Sequence, residues 1–467
     1  MIRTINSHLA VRSSSIGLVL VAVLGPLGVV VTAQEGVGTQ EWPQFLGPDR
    51  DGTAAVPGVD FASWQTSAPE VVWRTSTGPG YGGAAILGDD VVILDRVEGK
   101  DRLRVLGFAD GKERWSVDYD APGRLQFAGS RTVPIVTEDR IYACGGFGHV
   151  SCYSREEREL VWQVDLQKDF AGRIPMFGYS SALVWLDASA APAVVATAYG
   201  DEVGLVALDA ATGEVRWKTE PVGYSHSTPA VVALRGREQI VFASTEKEAT
   251  GRSTPDPMIL WGFDAETGAT LWRHDLACAN LPIPAPVAID EQTLFITQGY
   301  AGGSLLLRIG RNDNDDAQDS GSGSYTFDEV WRSKRGSQVH QPVLFDGHLY
   351  LLANENANHP RNLQTEGGLI CLSLDGEERW RTGNEPFFGR GALVRIDDHL
   401  LLQDGLNGVL RAVRMDPERY VEVASFDPFG IEGRRDNRLW APIAVARGRI
   451  VIRGKRDGQD ELVCIAL

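Results

Sequence analysis

The 467-residue chain is predicted to be all-β, an eight-bladed β-propeller of four-stranded antiparallel blades. Three observations predict it: a hairpin that recurs along the chain, a tryptophan that recurs with it, and unmatched strands at the two ends. The hairpin is clearest as "GLVALDAATGEVRWKTE" (Gly204 to Glu220), and returns as "LWGFDAETGATLWRHD" (Leu260 to Asp275), "LRVLGFADGKERWSVD" (Leu103 to Asp118) and "LICLSLDGEERWRT" (Leu369 to Thr382). Each is an alternating apolar strand, an acidic-Gly turn and a second strand carrying Trp. Gly accepts the positive φ of a tight turn and Asp bonds its own backbone there.

The recurring tryptophans are Trp73, Trp115, Trp162, Trp217, Trp272, Trp331 and Trp380, spaced by about 50 residues, enough for four strands and their turns. A second recurring piece precedes each hairpin: a Pro-containing strand, a turn and another strand, as in "TVPIVTEDRIYACG" (Thr132 to Gly145) and "HQPVLFDGHLYLLA" (His340 to Ala353). Pro is placed at an innermost or first strand position, where no ladder donor is needed. Outer hairpins begin near Leu103, Val150, Gly204, Ile259, Ser304, Leu369 and Val409, which makes seven. "ELVCIAL" (Glu461 to Leu467) is a third strand without a fourth, and "PEVVWRT" (Pro69 to Thr75) a fourth without a third. Pairing them closes an eighth blade and removes the open edges. Seven blades is the alternative if the Trp-less unit at Val409 to Val423 is misread.

The chain divides into a signal peptide (1–33), a lead-in (34–69) and the propeller (70–467). Arg3 and Arg12 open the signal, Ile16 to Val31 is its apolar stretch, and Val31-Thr32-Ala33 precedes a cut at Gln34. An uncleaved anchor is the competing reading, but the apolar stretch holds Pro26 and glycines and is shorter than the roughly 20 residues of a spanning helix. With the first Cys at Cys144 there is no lipoprotein cysteine at the cut. The expected location is the periplasm or the exterior, with no transmembrane helix after cleavage. Loss of the signal leaves 43 basic against 62 acidic residues, a formal net charge of −19. That excludes nucleic acid, whose binding rests on cations meeting phosphates. A protein or a small anionic ligand is the expected partner, and the chain is expected to be a monomer.

The A-x-D-x-x-T-G-x-x-x-W-like repeats, best seen at Ala207 to Trp217 and Phe263 to Trp272, resemble the pyrroloquinoline-quinone (PQQ)-like β-propeller family, of BamB-like, non-catalytic type. "WPQFLGPDRDG" (Trp42 to Gly52) looks like the lead-in of such propellers. The resemblance implies that the seven recurring tryptophans dock neighbouring blades, and it admits two kinds of member. Quinoprotein dehydrogenases hold PQQ with calcium, a catalytic Asp and usually a vicinal disulfide, whereas assembly factors bind protein partners without quinone. No Cys-Cys pair occurs here, and no Glu, Asn and Asp set matches the calcium and base positions. The expectation is therefore a binding or assembly scaffold with no catalytic residue, no metal and no cofactor, the alternative being a PQQ-dependent alcohol or sugar dehydrogenase with calcium.

Cys152, Cys371 and Cys464 share one position in the third strand of blades 2, 6 and 8, too far apart for disulfides, and are read as buried apolar residues. Cys144 and Cys278 are left unassigned, and the odd count of five leaves a free thiol. "RNDNDDAQDSGSGSY" (Arg311 to Tyr325) does not fit a calcium loop and is read as a solvated insertion. His274 and His399 show no metal spacing.

The starts of the innermost strands ring the mouth of the central channel. One register places Tyr81, Arg131, Tyr179, His226, His340, Arg390 and Trp440 there, with Gln341 beside His340. Two readings stand: a ligand-binding ring, or side chains that plug the channel and bond one another. Under the first, His226 and His340 are expected to strengthen anion capture below about pH 6.5. Two long loops, Ser244 to Met258 and Ala353 to Gly368, are expected on the same face. The lead-in is expected to pack on the ring near its closure, on the face of the outer hairpin turns.

Overall fold

The computed structural model describes residues 40–187, 191–247, 257–279 (side chains to 276), 281–299, 302–311, 325–353, 367–431 and 438–467. Within them lie eight four-stranded antiparallel sheets, one carrying an extra strand. Blades 1 to 7 occupy residues 85–120, 135–165, 184–218, 230–279, 287–333, 343–381 and 392–426. Blade 8 takes its three inner strands from 444–466 and its outermost strand, Val71–Ser76, from the other end of the chain. That strand pairs with Gln459–Ala466 through Trp73↔Cys464 and Arg74↔Val463, and Arg74 forms a 2.8 Å ion pair with Glu461. Helix is limited, among the described residues, to one turn at Leu166–Asp169 and a 3-10 helix at Phe61–Gln65.

The tryptophans explain how the blades lock. Trp73, Trp162, Trp331 and Trp380 each donate the indole N–H to a backbone carbonyl in the next blade, those of Phe108, Ala210, Leu374 and Asp416, at 2.8–3.1 Å. For Trp73, Trp162 and Trp331 the ring lies over the turn glycine of that blade. A Cβ at Gly111, where φ is +66°, would sit 2.5 Å from the Trp73 ring, so Gly supplies both the turn conformation and the seat. Gly213, Gly268 and Gly376 seat Trp162, Trp217 and Trp331 in the same way. Trp115, half-buried, packs on the cluster holding Ile141 and Tyr153 of blade 2. The residue opposite each Trp on the neighbouring strand is often small: Cys152, Ala207, Cys371 and Cys464 face Trp162, Trp217, Trp380 and Trp73. Three of the cysteines thus back the docking rings. They are buried free thiols, as is Cys144, and burial pushes the thiol pKa values of Cys144, Cys152 and Cys464 up to about 12. The side chain of Cys278 lies outside the described residues.

Trp272 meets the next blade in a different way. Its indole N–H bonds Gln239 Oε1 in its own blade at 2.8 Å, and the ring fills the space that a Cβ on Gly262 would take. Phe327 of blade 5 packs against its face at 5.3 Å. The missing side chain at Gly262 lets the indole lie across its own sheet.

In Blade 7, Ala424 stands opposite Ala412, where other blades have Trp. The lead-in covers this strand: Trp64, in the 3-10 helix, meets Phe426 edge-on at 6.3 Å, and Gln65 Nε2 donates to the Val423 carbonyl. The prolines also differ from expectation, since Pro134, Pro229 and Pro342 stand just before the innermost strands of blades 2, 4 and 6.

Two changes test the closure. A chain ending at Asp460 removes most of the strand between blade 8's inner sheet and Val71–Ser76; cooperative urea unfolding should be lost. Trp73→Ala should lower the unfolding free energy by about 3–5 kcal/mol. A truncated chain that unfolds like the full one would contradict the closed ring.

Candidate functional site

Instead of resting only on the ring near its closure, the lead-in enters the channel. Trp42 forms a two-way backbone bridge to Ile86 in blade 1, the Pro43 carbonyl accepts from Val136 in blade 2, and Arg50 Nη1 donates to Trp185 in blade 3 at 2.7 Å. Thr53–Ala54 then pairs in parallel with Arg395 and Ile396 of blade 7's innermost strand. Gly47, at φ +84°, gives room to the buried Trp42 ring, 2.8 Å from where a Cβ would be. "WPQFLGPDRDG" is therefore a plug, held by backbone bonds to inner strands because those strands otherwise present unpaired groups to the channel.

The plug divides the channel into two cavities, of about 340 and 330 Å³, that share Phe45 and Thr228 as lining. The mouth cavity is walled by Tyr81, Phe127, Phe177 and Trp440, with Arg131, His226, His340, Arg390, Gln126 and Gln338 among them. The aromatic wall is continuous: Tyr81–Trp440 5.4 Å, Phe127–Trp440 5.5 Å, Phe127–Phe177 5.6 Å and Phe177–His226 5.2 Å between ring centres.

Three guanidiniums stack on this wall, Arg131 on Tyr81, Arg390 on Trp440 and Arg438 on Phe127, at 5.7, 5.3 and 4.8 Å. Arg131 also donates to the Gly129 and Phe127 carbonyls, fixing the loop that carries Phe127. Arg390 Nε donates to Gln338 Oε1 at 2.8 Å. Burial lowers the Arg131 pKa to about 10, which leaves it charged at neutral pH. Among the described residues no carboxylate lines the mouth cavity.

Of the eight residues expected at the mouth, six line the cavity: Tyr81, Arg131, His226, His340, Arg390 and Trp440. Tyr179 and Gln341 do not. Tyr179 turns into the interface of blades 2 and 3, where its hydroxyl donates to the Ala198 carbonyl and its ring seats on Gly148. Gln341 lines the lower cavity and donates to the Arg50 carbonyl at 3.4 Å. Phe127, Phe177, Gln338 and Arg438 were not anticipated. Their signal is a Phe and Gly ahead of the inner strand, seen in Phe127/Gly129, Phe177-Gly178 and Phe388-Gly389. Of the two long loops, residues 248–256 and 354–366 lie outside the described residues, as do 312–324 of the insertion and residues 1–39, which include the expected signal.

The donor set does not fit the quinone–calcium pair that the resemblance admits. Calcium takes six to eight oxygen ligands, with carboxylates prominent, whereas the described lining is cationic and Gln338 Oε1 is committed to Arg390. No group of three His, Cys, Asp or Glu suited to a metal occurs among the described residues.

His226 shares a 2.7 Å hydrogen bond with Ser180 Oγ through Nδ1. Burial, aided by Arg131, lowers its pKa to about 3; burial lowers that of His340 to about 4, partly offset by a bond to the Trp440 backbone. Both rings are neutral across the physiological range. This corrects the expectation of a switch near pH 6.5: desolvation of the imidazolium outweighs any gain from charging. The sign for stability follows. The unfolded chain takes up these protons below about pH 6.5 and the folded chain only near pH 3–4, so stability is whole above 6.5 and falls as pH drops through that window. By pH 5 each ring should have removed about 2 kcal/mol. Urea unfolding at pH 7.5 and 5.0 checks it; in His226→Asn and His340→Gln the loss should shrink, and a loss unchanged in both would contradict the neutral rings.

With the geometry in place, comparison with known proteins becomes informative. A family model described as outer membrane protein assembly factor BamB matches residues 146–312. No curated protein matches the chain. Among solved structures, a europium-containing methanol dehydrogenase aligns at TM-score 0.65 and 11% identity, over 94% of this chain and 100% of its own. The quinohemoprotein alcohol dehydrogenase ADHIIG from Pseudomonas putida HK5 aligns at 0.57 and 11%, over 94% and 81%. BamB from Moraxella catarrhalis aligns at 0.36 and 17%, over 72% and 93%. The two dehydrogenases share the fold. No helix among the described residues is long and apolar enough to cross a membrane. The match over residues 146–312 and the eight blades support the likeness to the PQQ-like β-propeller family, and the dehydrogenase alignments show the shared fold.

Proposed function

We propose that the chain is an exported binding propeller that captures an anionic group at the channel mouth and carries out no quinone chemistry there. The observation that supports this most is the charge of the lining: Arg131 and Arg390 face a cavity without a described carboxylate, in a chain with 62 acidic and 45 basic residues. Buried guanidiniums are costly to desolvate, and a carboxylate returns that cost through charge-assisted hydrogen bonds. The mouth supplies binding groups and aromatic surface, and among the described residues no carboxylate base lines it for removing a proton from an alcohol or sugar. Export rests on the N-terminal signal pattern, and a role in assembly would follow if the anionic group belongs to a protein.

Benzoate and its neutral isostere benzamide provide the first test. Benzoate should raise the melting temperature in a concentration-dependent way, benzamide should not, and Arg131→Gln with Arg390→Gln should abolish the shift. Stabilisation by both compounds alike would overturn anion capture. The protein mixed with PQQ and calcium should show no dye-linked oxidation of alcohols or aldoses. Oxidation that disappears on chelation would establish the dehydrogenase alternative instead.

A further inference from the structure

The lower cavity, of about 330 Å³, meets the innermost strands of blades 4 and 5, Ala230–Leu234 and Val287–Asp290, by their edges. Side chains alternate along a strand, so a cavity touching one face would be lined by every second residue. Here Thr228 to Val232 and Ala285 to Ala288 line it without a gap. In an antiparallel pair, every second residue turns its N–H and C=O away from the partner strand. In blades 1, 2, 7 and 8 the plug meets such groups: Ile86, Val136, Arg395, Asp397 and Arg447 all donate backbone N–H groups to plug carbonyls. Among the described residues, no hydrogen bond from the plug reaches residues 230–234 or 287–290. Ala230 to Val232 and Val287 to Ile289 are accordingly half-buried, whereas the innermost strand of blade 8 is buried throughout. A strand edge left open in this way is a template for another strand.

We infer that the lower cavity takes an extended stretch of a partner polypeptide, added as a strand to the inner edge of blade 4 and carrying a Lys or Arg between apolar residues. Blade 4 offers the better edge. Its innermost pair runs in register over all five residues, while that of blade 5 is broken between Ala288 and Asp290. The lead-in already shows the mode, since Thr53–Ala54 adds in parallel to the innermost strand of blade 7. Pro229 to Val232 span about 10 Å at about 3.3 Å per residue, which matches about three residues of a partner. The cation follows from the plug. Asp49 and Asp51 line the cavity and are exposed, so they stand where it opens to solvent. Arg50 between them is already bonded to the Trp185 carbonyl, and Asp187 and Glu238 act on it from nearby. An incoming ammonium or guanidinium therefore meets a carboxylate-rich rim. Leu183, Val184 and Leu344 supply the apolar wall for its neighbours. This site goes beyond anion capture at the mouth and needs no part of it.

The test uses the whole protein and fluorescence anisotropy of the N-terminally labelled peptide Gly-Ser-Val-Lys-Val-Gly, amidated at its C-terminus. Exchanging its Lys for Glu should weaken binding about tenfold or more. Asp49→Asn with Asp51→Asn, which keeps the side-chain acceptors, should weaken the Lys peptide several-fold while the melting temperature holds. N-methylation of the Lys, or of both Val, removes backbone donors of opposite parity; one of these peptides should lose about tenfold and the other less than about twofold. Hydrogen exchange with the peptide bound should slow in residues 230–234 and stay unchanged in 287–290. Equal loss in both methylated peptides, or loss in neither, would overturn strand addition. A Glu peptide as tight as the Lys peptide, or an Asn double variant that binds like the wild type, would remove the cation from the proposal and defeat it. N-acetyl-lysine methylamide competing as well as the peptide would make the occupant a small amine instead of a polypeptide. Displacement by excess benzoate would place the peptide at the mouth and contradict the lower site. Slowed exchange confined to blade 5 would refute the blade 4 edge. No peptide binding while benzoate still stabilises would sink this inference and leave anion capture standing.

Discussion

The ladder between Val71–Ser76 and Gln459–Ala466 constrains everything else in this molecule. A ring of sheets has edges until its last blade is completed, and here the completing strand is the outermost one, supplied from near the N-terminus. Residues before Val71 must therefore arrive at the rim, although the lead-in is anchored at the centre. The path between is visible: Trp42 in the channel, Thr53–Ala54 along blade 7's innermost strand, Phe61–Gln65 beneath its outermost strand, then the rim. One segment plugs the channel, covers the blade that lacks its tryptophan and closes the ring. The opening motif is thus more than loose packing, since its Phe45 lines the mouth cavity.

Because the plug takes the lower part of the channel, the chemistry left to the mouth comes from the loops entering the inner strands. These loops carry Phe127, Phe177 and Arg390, while Arg131, His226 and His340 stand just before the strands themselves. Placing cations there asks the fold to compensate their burial. For Arg131 it does so with the Tyr81 face and the Gly129 and Phe127 carbonyls, and Arg390 stacks on Trp440 and donates to Gln338. The neutral histidines belong to the same balance, as two further positive charges in so small a space would be far more costly than hydrogen-bonding imidazoles.

How much of this was legible in the residues depends on whether the signal was local. Blade number and closure were readable because each hairpin carries its own turn Gly, and the end strands are recognisable by what they lack. The docking of Trp162 over Gly213 follows from the same repeat. Trp272 did not follow, since its seat is Gly262 in a strand, a position where Gly has no turn to announce it. At the mouth, register alone placed six residues correctly in space, but it could not tell which side of the inner chain each faced. His340 lines the upper cavity and its neighbour Gln341 the lower one, as alternation along an extended chain requires. Tyr179 was drawn into the blade interface by Gly148, a partner 31 positions away that no local pattern connects to it. The histidine pKa values were out of reach for the same reason: burial is a property of the assembled ring.

A cationic mouth in an acidic chain also sets the range over which recognition can act. At physiological salt the Debye length is about 8 Å, so the charge on the outer blades is screened before it reaches the axis, and the mouth is screened from a distant ligand. Steering across the surface is therefore weak, and discrimination has to arise at contact, where the guanidiniums, the indole N–H and the imidazole are all desolvated together. In such a site a charge alone is insufficient. An anion without a ring leaves the aromatic wall wet. Selectivity thus comes from the cost of incomplete occupants more than from the attraction of the complete one, which is how buried polar groups reject analogues that lack a single hydrogen bond.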